Sequence, residues 1–140
     1  MSIERSGHFY AAHRNQYLRG DKCFGLHGHT YYVTVSFKTP DKDRAGVTIL
    51  FSELEDRLDK VLSQFDHAII IDPEDKNLRD AIRFLETQDS QDHKTVELNG
   101  PTSVENLAEH FYYSLGGSEA LDWVRVRETN SSQFYFRERE

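Results

Sequence analysis

An α+β domain whose strands lie mostly in hairpins is the fold class predicted for this 140-residue chain. Three observations predict it: two extended stretches near the N terminus, one of them cleanly alternating, strong helical periodicity in two middle segments, and alternation again near the end. The length is that of one ordinary domain, so residues 1–140 are read as a single unit.

Each element has its own justification. Ile3 to Ala12 is extended and rich in aromatic residues. His29 to Thr39 alternates, with Tyr31, Val33, Val35 and Phe37 on one face and Tyr32, Thr34 and Ser36 on the other. Pro40 to Gly46 is a charged turn, after which Val47 to Phe51 is expected to return as a partner strand. Ser52 and Glu55 form a capping-box pattern, and Leu54, Leu58, Val61, Leu62 and Phe65 give the helix that follows one apolar stripe. Ala68 to Ile71 is a short apolar strand. Leu78, Ile82 and Leu85 predict a second, shorter helix, and the polar segment Thr87 to Lys94 a loop. Another strong helix starts at Pro101-Thr102-Ser103, with Glu105 at capping distance from Thr102. It carries Val104, Leu107, Ala108, Phe111 and Leu115 and stops at Gly116-Gly117. Trp123 to Thr129 and Gln133 to Arg137 then alternate around an Asn130-Ser131-Ser132 turn.

Composition excludes several function classes. Lys and Arg number 17 against 24 Asp and Glu, a net charge of −7, which removes the global basic footprint of a nucleic-acid binder and disfavours anionic membranes. No apolar run approaches the roughly 18 residues of a membrane span, and Met1-Ser2-Ile3-Glu4-Arg5 opens no signal-peptide apolar region. A cytoplasmic location is expected. The single cysteine forbids an intrachain disulfide and suits a reducing compartment. Hydrophobic residues, at 37%, are lean for a monomer and suggest burial between subunits.

The chemistry-bearing residues cluster early. In an extended chain His27 and His29 point to the same face, with Gly28 between them keeping the approach open. If the first strand pairs beside the second, His13 completes a three-histidine metal site with a free fourth position, the arrangement of a catalytic zinc. The bland alternative for any one of them is a histidine hydrogen-bonded within the sheet. Cys23 sits in a polar, glycine-bearing stretch with Lys22 beside it, so its thiol is a candidate base of lowered pKa, or else a small buried hydrophobe. Asp66-His67 reads as a helix C terminus or as an acid–base histidine oriented by a carboxylate. Glu128 continues the apolar parity of Val124 and Val126 and must find a partner there: an arginine, solvent at the strand end, or the paired N–H edge of an aminopyrimidine.

Taken together, Phe9-Tyr10-Ala11-Ala12-His13-Arg14, Cys23-x3-His27-Gly28-His29-x-Tyr31-x-Val33, Asp66-His67, Pro101-Thr102-Ser103 with Glu105-Asn106-Leu107-Ala108, and Arg127-Glu128-Thr129 resemble the 6-pyruvoyl-tetrahydropterin synthase / 6-carboxy-tetrahydropterin synthase family, in order and from about Phe9 to Phe136. The resemblance implies the tunnelling fold: an antiparallel four-stranded sheet with two main helices on one face, joined edge to edge into an oligomeric barrel. It implies a homo-oligomer, a hexamer built as a dimer of trimers, with active sites at subunit boundaries. It implies zinc on His13, His27 and His29, Cys23 as the proton-abstracting base, and His67 as its partner assisted by Asp66. Glu128 then anchors the pterin and joins the charge relay. Thr102, Ser103 and Glu105 are candidates for further pterin contact.

The three-residue gap between Cys23 and His27 is similar to that of the 6-carboxy enzymes of queuosine biosynthesis. The expected reaction therefore converts 7,8-dihydroneopterin triphosphate to 6-carboxy-5,6,7,8-tetrahydropterin, acetaldehyde and triphosphate. A 6-pyruvoyl-tetrahydropterin synthase, which eliminates triphosphate and keeps the side chain, is the alternative. A non-catalytic zinc- or pterin-binding module is the second. Triphosphate needs local positive charge in this acidic chain, for which Lys22 and Arg14 are nominated.

Overall fold

The computed structural model describes residues 1–129 and 131–138. Its frame is a hairpin of β1 (Ser2–His13) and β2 (His27–Lys38), paired antiparallel without a break from Ser2↔Lys38 to His13↔His27. Alternation sorts β1 cleanly: Phe9, Ala11 and His13 are buried while His8 and Tyr10 face out. Gly7 lies on the buried parity, where a Cβ would come within 2.8 Å of Leu62 Cδ1, so the helix above β1 packs close against bare backbone.

That helix, α1 (Phe51–Leu62), buries Leu54, Leu58 and Leu62, as its periodicity predicts. Its start differs from the expected capping box. Leu50 is the N-cap, and its carbonyl accepts the N–H groups of both Glu53 and Leu54, which leaves Ser52 inside the first turn. The expected strand over Val47 to Phe51 does not form either. The Asp43 carboxylate accepts the N–H groups of Ala45 and Val47 and holds a turn there, while β2 takes β1 as its partner.

β3 (Ala68–Ile71) runs parallel to β1, and β4 (Thr95–Glu97) runs parallel to β3. Between them α2 (Lys76–Asp89) spans 14 residues against 12 for α1, so it is longer than α1 and extends into the segment read as a loop. The Asp75 side chain caps it through the Leu78 N–H. Ile70 joins the main core, whereas Ile69 and Ile71, of opposite parity, pack with Leu78 and Ile82 of α2 in a second small cluster. α3 (Val104–Ser114) buries Leu107, Ala108, Phe111 and Tyr112 against β5 (Leu121–Arg127) and β6 (Gln133–Phe136). Its N-cap is Ser103, which accepts the Asn106 N–H, and not Thr102. The β5–β6 hairpin agrees with the expected one, and Asn130 of its turn lies outside the described residues.

The sheet thus has six strands in the order β4-β3-β1-β2-β5-β6, where four antiparallel strands were expected. The two additional members are the short parallel strands beside β1. Among the described residues no helix is long and apolar enough to cross a membrane.

A three-histidine cluster at the loop end of the central hairpin

Pairing of β1 with β2 sets His13 opposite His27 and Ala11 opposite His29, so all three imidazoles share the end of the hairpin that residues 14–26 connect. Their ring centroids are 4.7 Å (His13–His27), 5.3 Å (His13–His29) and 4.7 Å (His27–His29) apart. One ligand atom from each lies within 4.8 Å of the others.

The hydrogen bonds at the back of these rings decide which nitrogens face inward. His13 Nδ1 lies 2.7 Å from the Thr102 carbonyl and 3.1 Å from its hydroxyl; His27 Nδ1 lies 2.6 Å from the Gly25 carbonyl. A carbonyl only accepts, so both Nδ1 atoms carry the proton and both Nε2 atoms keep a lone pair. Among the described residues, His13 Nε2 and His29 Nε2 are buried and have no hydrogen-bond partner. Orphaned imidazole nitrogens converging on one point are costly unless an ion completes them, so the donor set fits a tetrahedral nitrogen-ligated metal such as zinc. Gly28 does not control this approach: alternation places it on the opposite face, where it is exposed.

Burial is the main cause holding His13 neutral, with its pKa lowered to about 4; the His27 and His29 charges act in the same direction and the Thr102 bond against them. His29 is likewise lowered, chiefly by burial, with Glu128 opposing. A histidine neutral in the fold binds fewer protons than in the unfolded chain, whose ordinary value is about 6.5. Metal-free protein is therefore expected to lose stability as pH falls from about 6.5 toward 4, the range between the unfolded and folded values for His13. Urea unfolding across that range checks it. A midpoint that does not move would show that His13 titrates as in the open chain.

Glu128, one residue past β5, brings Oε2 to 3.7 Å from His29 Nε2, with its side chain 26% exposed. Its parity is thus as expected, and among the described residues it has no arginine in ion-pair range. Cys23 lies on a short 3₁₀ turn, Lys22–Phe24, partly exposed and close enough to Glu128 for that charge to act on its thiol. The expected lowering of the thiol is not seen. Asp21, which accepts the Cys23 N–H at 2.8 Å, raises it through a hydrogen bond and its charge, outweighing Lys22.

Two expected triphosphate ligands differ. Lys22 is exposed beside Cys23, but Arg14 makes a two-pronged bond to Asp75, at 2.7 Å for both Nε–Oδ2 and Nη2–Oδ1, and its charge is already neutralised. Thr102 is buried with both of its oxygens turned to His13, while Glu105 points outward from the first turn of α3 and is exposed. Ser103 is committed to capping α3.

Asp66 and His67 form a unit of their own. His67 Nδ1 donates to Asp66 Oδ2 at 2.9 Å, and Asp66 Oδ1 accepts the Tyr10 N–H at 3.0 Å. These bonds, Tyr10 first, hold the Asp66 carboxyl below its ordinary range. His67 adopts φ +61°, a strained left-handed conformation, with its N–H bonded to the Tyr10 carbonyl. Its ring packs 6.0 Å from that of Tyr10 and is 77% exposed. Tyr10 has the parity opposite to His13, so one chain does not bring His67 onto the face that holds Cys23 and the histidines.

Sequence reasoning missed Tyr31 as a neighbour of the cluster. Its ring lies 5.6 Å from His29 and 6.0 Å from His13, and its buried hydroxyl has no hydrogen-bond partner among the described residues. Burial, then Glu128 and Cys23, push its phenol well above the ordinary value. The signal was present: Tyr31 follows His29 at the same parity of β2.

A curled sheet backed by helices, with three histidines at the loop end of its central hairpin, defines a tunnelling-fold protein with a candidate metal centre. The chain belongs to the 6-pyruvoyl tetrahydropterin synthase family, whose family model matches residues 2–139. It is 28% identical over 106 residues to the 6-carboxy-5,6,7,8-tetrahydropterin synthases of Rickettsia felis and Rickettsia conorii, covering 75% of this chain and 69% of each relative. Among solved structures, an uncharacterized protein of Wolinella succinogenes superposes with a TM-score of 0.73 at 17% identity, over 99% of this chain and 98% of that one. The 6-pyruvoyl tetrahydropterin synthase of Caenorhabditis elegans does so at 0.69 and 21%, over 99% and 96%. These two likenesses speak to the fold.

Proposed function

We propose that the chain is a zinc-dependent lyase of queuosine biosynthesis that converts 7,8-dihydroneopterin triphosphate to 6-carboxy-5,6,7,8-tetrahydropterin, acetaldehyde and triphosphate; its likeness to Rickettsia proteins named 6-carboxy-5,6,7,8-tetrahydropterin synthase supports the reading. The observation that carries the reading is the cluster of buried, unpartnered imidazole nitrogens with Cys23 and Glu128 beside it.

Each side chain has a task that its surroundings support. His13, His27 and His29 would hold zinc, the first two through the Nε2 atoms left unprotonated by their Nδ1 bonds to Thr102 and Gly25. Zinc, when bound, supplies Lewis acidity that acidifies the C–H next to a chelating side-chain oxygen. Glu128 accepts the paired N–H groups of the pterin's pyrimidine edge and sets the ring's distance from the histidines. Cys23 takes the side-chain proton. Asp66, kept ionised by the Tyr10 N–H, fixes the Nδ1–H tautomer of His67, so that Nε2 can accept a proton and return it. Lys22 remains the nominated cation for the triphosphate, whereas Arg14 is withdrawn from that role because Asp75 already neutralises it.

The placement of His67 on the outer face supports a site shared between copies of the chain. In a homo-oligomer, the histidine unit of one copy reaches the cysteine face of another, which accords with a hexameric assembly of two trimers. The deciding experiment is incubation of zinc-loaded protein with 7,8-dihydroneopterin triphosphate, followed by mass spectrometry. The expected products are 6-carboxytetrahydropterin and acetaldehyde. Accumulation of 6-pyruvoyl-tetrahydropterin would replace this reading with the pyruvoyl one, and unconverted substrate with zinc bound would leave a binding module.

A further inference from the structure

We infer that Thr102 is a positioning residue for the three-histidine site: its carbonyl keeps His13 in the tautomer that leaves Nε2 free, and its hydroxyl, held by the Arg14 carbonyl, gives Nδ1 a second acceptor that fixes the ring's orientation. What the free nitrogen serves rests on the metal reading above, but the tautomer itself does not. A threonine hydroxyl has one hydrogen, and here it goes to the Arg14 carbonyl at 3.0 Å, an atom that cannot donate. Toward His13 Nδ1, at 3.1 Å, the hydroxyl oxygen therefore only accepts, and so does the Thr102 carbonyl at 2.7 Å. Nδ1 faces two acceptors and must carry the ring's proton. Water has little access to reverse this, since Thr102 is 1% and His13 5% exposed.

The Arg14 carbonyl is held in turn by its own side chain. The guanidinium is forked onto Asp75, which is 1% exposed and caps α2 through the Leu78 N–H at 3.1 Å. Its other support is the ring of Phe24, whose centroid lies 5.0 Å from Arg14 Cζ, on the same 3₁₀ turn as Cys23. A chain of contacts thus runs from the start of α2 through Asp75, Arg14 and Thr102 to the imidazole of His13. Outer partners of this kind orient a metal-binding histidine and raise its basicity. This gives Arg14 and Thr102 work in the site other than the substrate contacts expected of them.

The test uses the full chain with ¹⁵N-labelled histidine, first without metal. The wild type is expected to show His13 protonated at Nδ1 alone. In Thr102→Val, which keeps the shape and removes the hydroxyl, the proton is expected to stay on Nδ1, held by the remaining carbonyl. Zn²⁺ affinity, read by competition with a chromophoric chelator, should fall by about 10-fold, the low end of the usual range because the Thr102 carbonyl remains. Thr102→Ser should restore the affinity, which a loss of packing alone would not predict. A wild-type His13 protonated at Nε2 overturns the proposal without recourse to any variant. So does a Thr102→Val protein with wild-type affinity. If the wild type binds no Zn²⁺, the metal reading falls, and the tautomer measurement still decides the role of Thr102.

Discussion

Replacing Cys23 with alanine is expected to lower turnover of 7,8-dihydroneopterin triphosphate by about 10²- to 10⁴-fold, the range lost when a positioned general base is removed, while zinc content stays unchanged. The split follows from geometry. Cys23 stands on its own 3₁₀ turn four residues before His27, and the cluster that fits a metal contains His13, His27 and His29 without it. No core packing depends on it, because the 3₁₀ turn buries none of its residues. The Asp21 carboxylate raises the thiol, so the rate should climb with pH as the thiolate forms. Removing that charge in Asp21→Asn should move the climb to lower pH. The measurements are kcat against pH and elemental analysis of each variant. Full turnover in the alanine variant with zinc bound would assign the proton transfer elsewhere.

The second large effect is expected at His27. His27→Ala should abolish stoichiometric zinc binding and, with it, turnover, because only two of the three converging imidazoles remain. Loss of a direct ligand exceeds the roughly 10- to 100-fold cost of losing an outer hydrogen-bond partner. His27 is a better choice than His13 for this experiment. His13 is 5% exposed and bonded to Thr102, so its removal also leaves a buried carbonyl short of a donor. His27 is half-buried, and apart from its neighbouring imidazoles its ring is held by a hydrogen bond to the carbonyl of Gly25, two residues earlier. Dialysis against a chelator, then metal analysis and thermal unfolding, separates metal loss from misfolding. One zinc per chain in His27→Ala would mean that the ligand set lies elsewhere.

Much of the site was legible because it is local or obeys strand parity. His27 and His29 share a face by alternation alone, and Glu128 stands out because it continues the parity of Val124 and Val126. Asp66-His67 is adjacent in sequence, and its hydrogen bond forms between neighbours. The helical stripes of α1 and α3 repeat in the buried residues. Some failures are local, since the Asp43 turn replaces the strand expected from Val47 and Asp21, two residues before Cys23, raises its thiol; others come from competition by partners distant in sequence. Thr102 has the composition of an N-cap, yet its hydroxyl goes to residues 88 and 89 positions away, leaving Ser103 to cap α3. Arg14 looks like a free cation until Asp75, 61 positions on, accepts from its Nε and Nη2.

The sequence by itself determined the fold class, the donor types at the site and the parity that aims His27 and His29 together, since side-chain chemistry and period two are properties of short segments. Only the tertiary structure decided the strand count, with β3 and β4 adding in parallel beside β1. It alone set the tautomer of His13 and placed His67 on the face away from Cys23. These depend on which distant groups meet, and a hydrogen bond or a register is fixed by the two atoms brought within about 3 Å, not by the residue types alone.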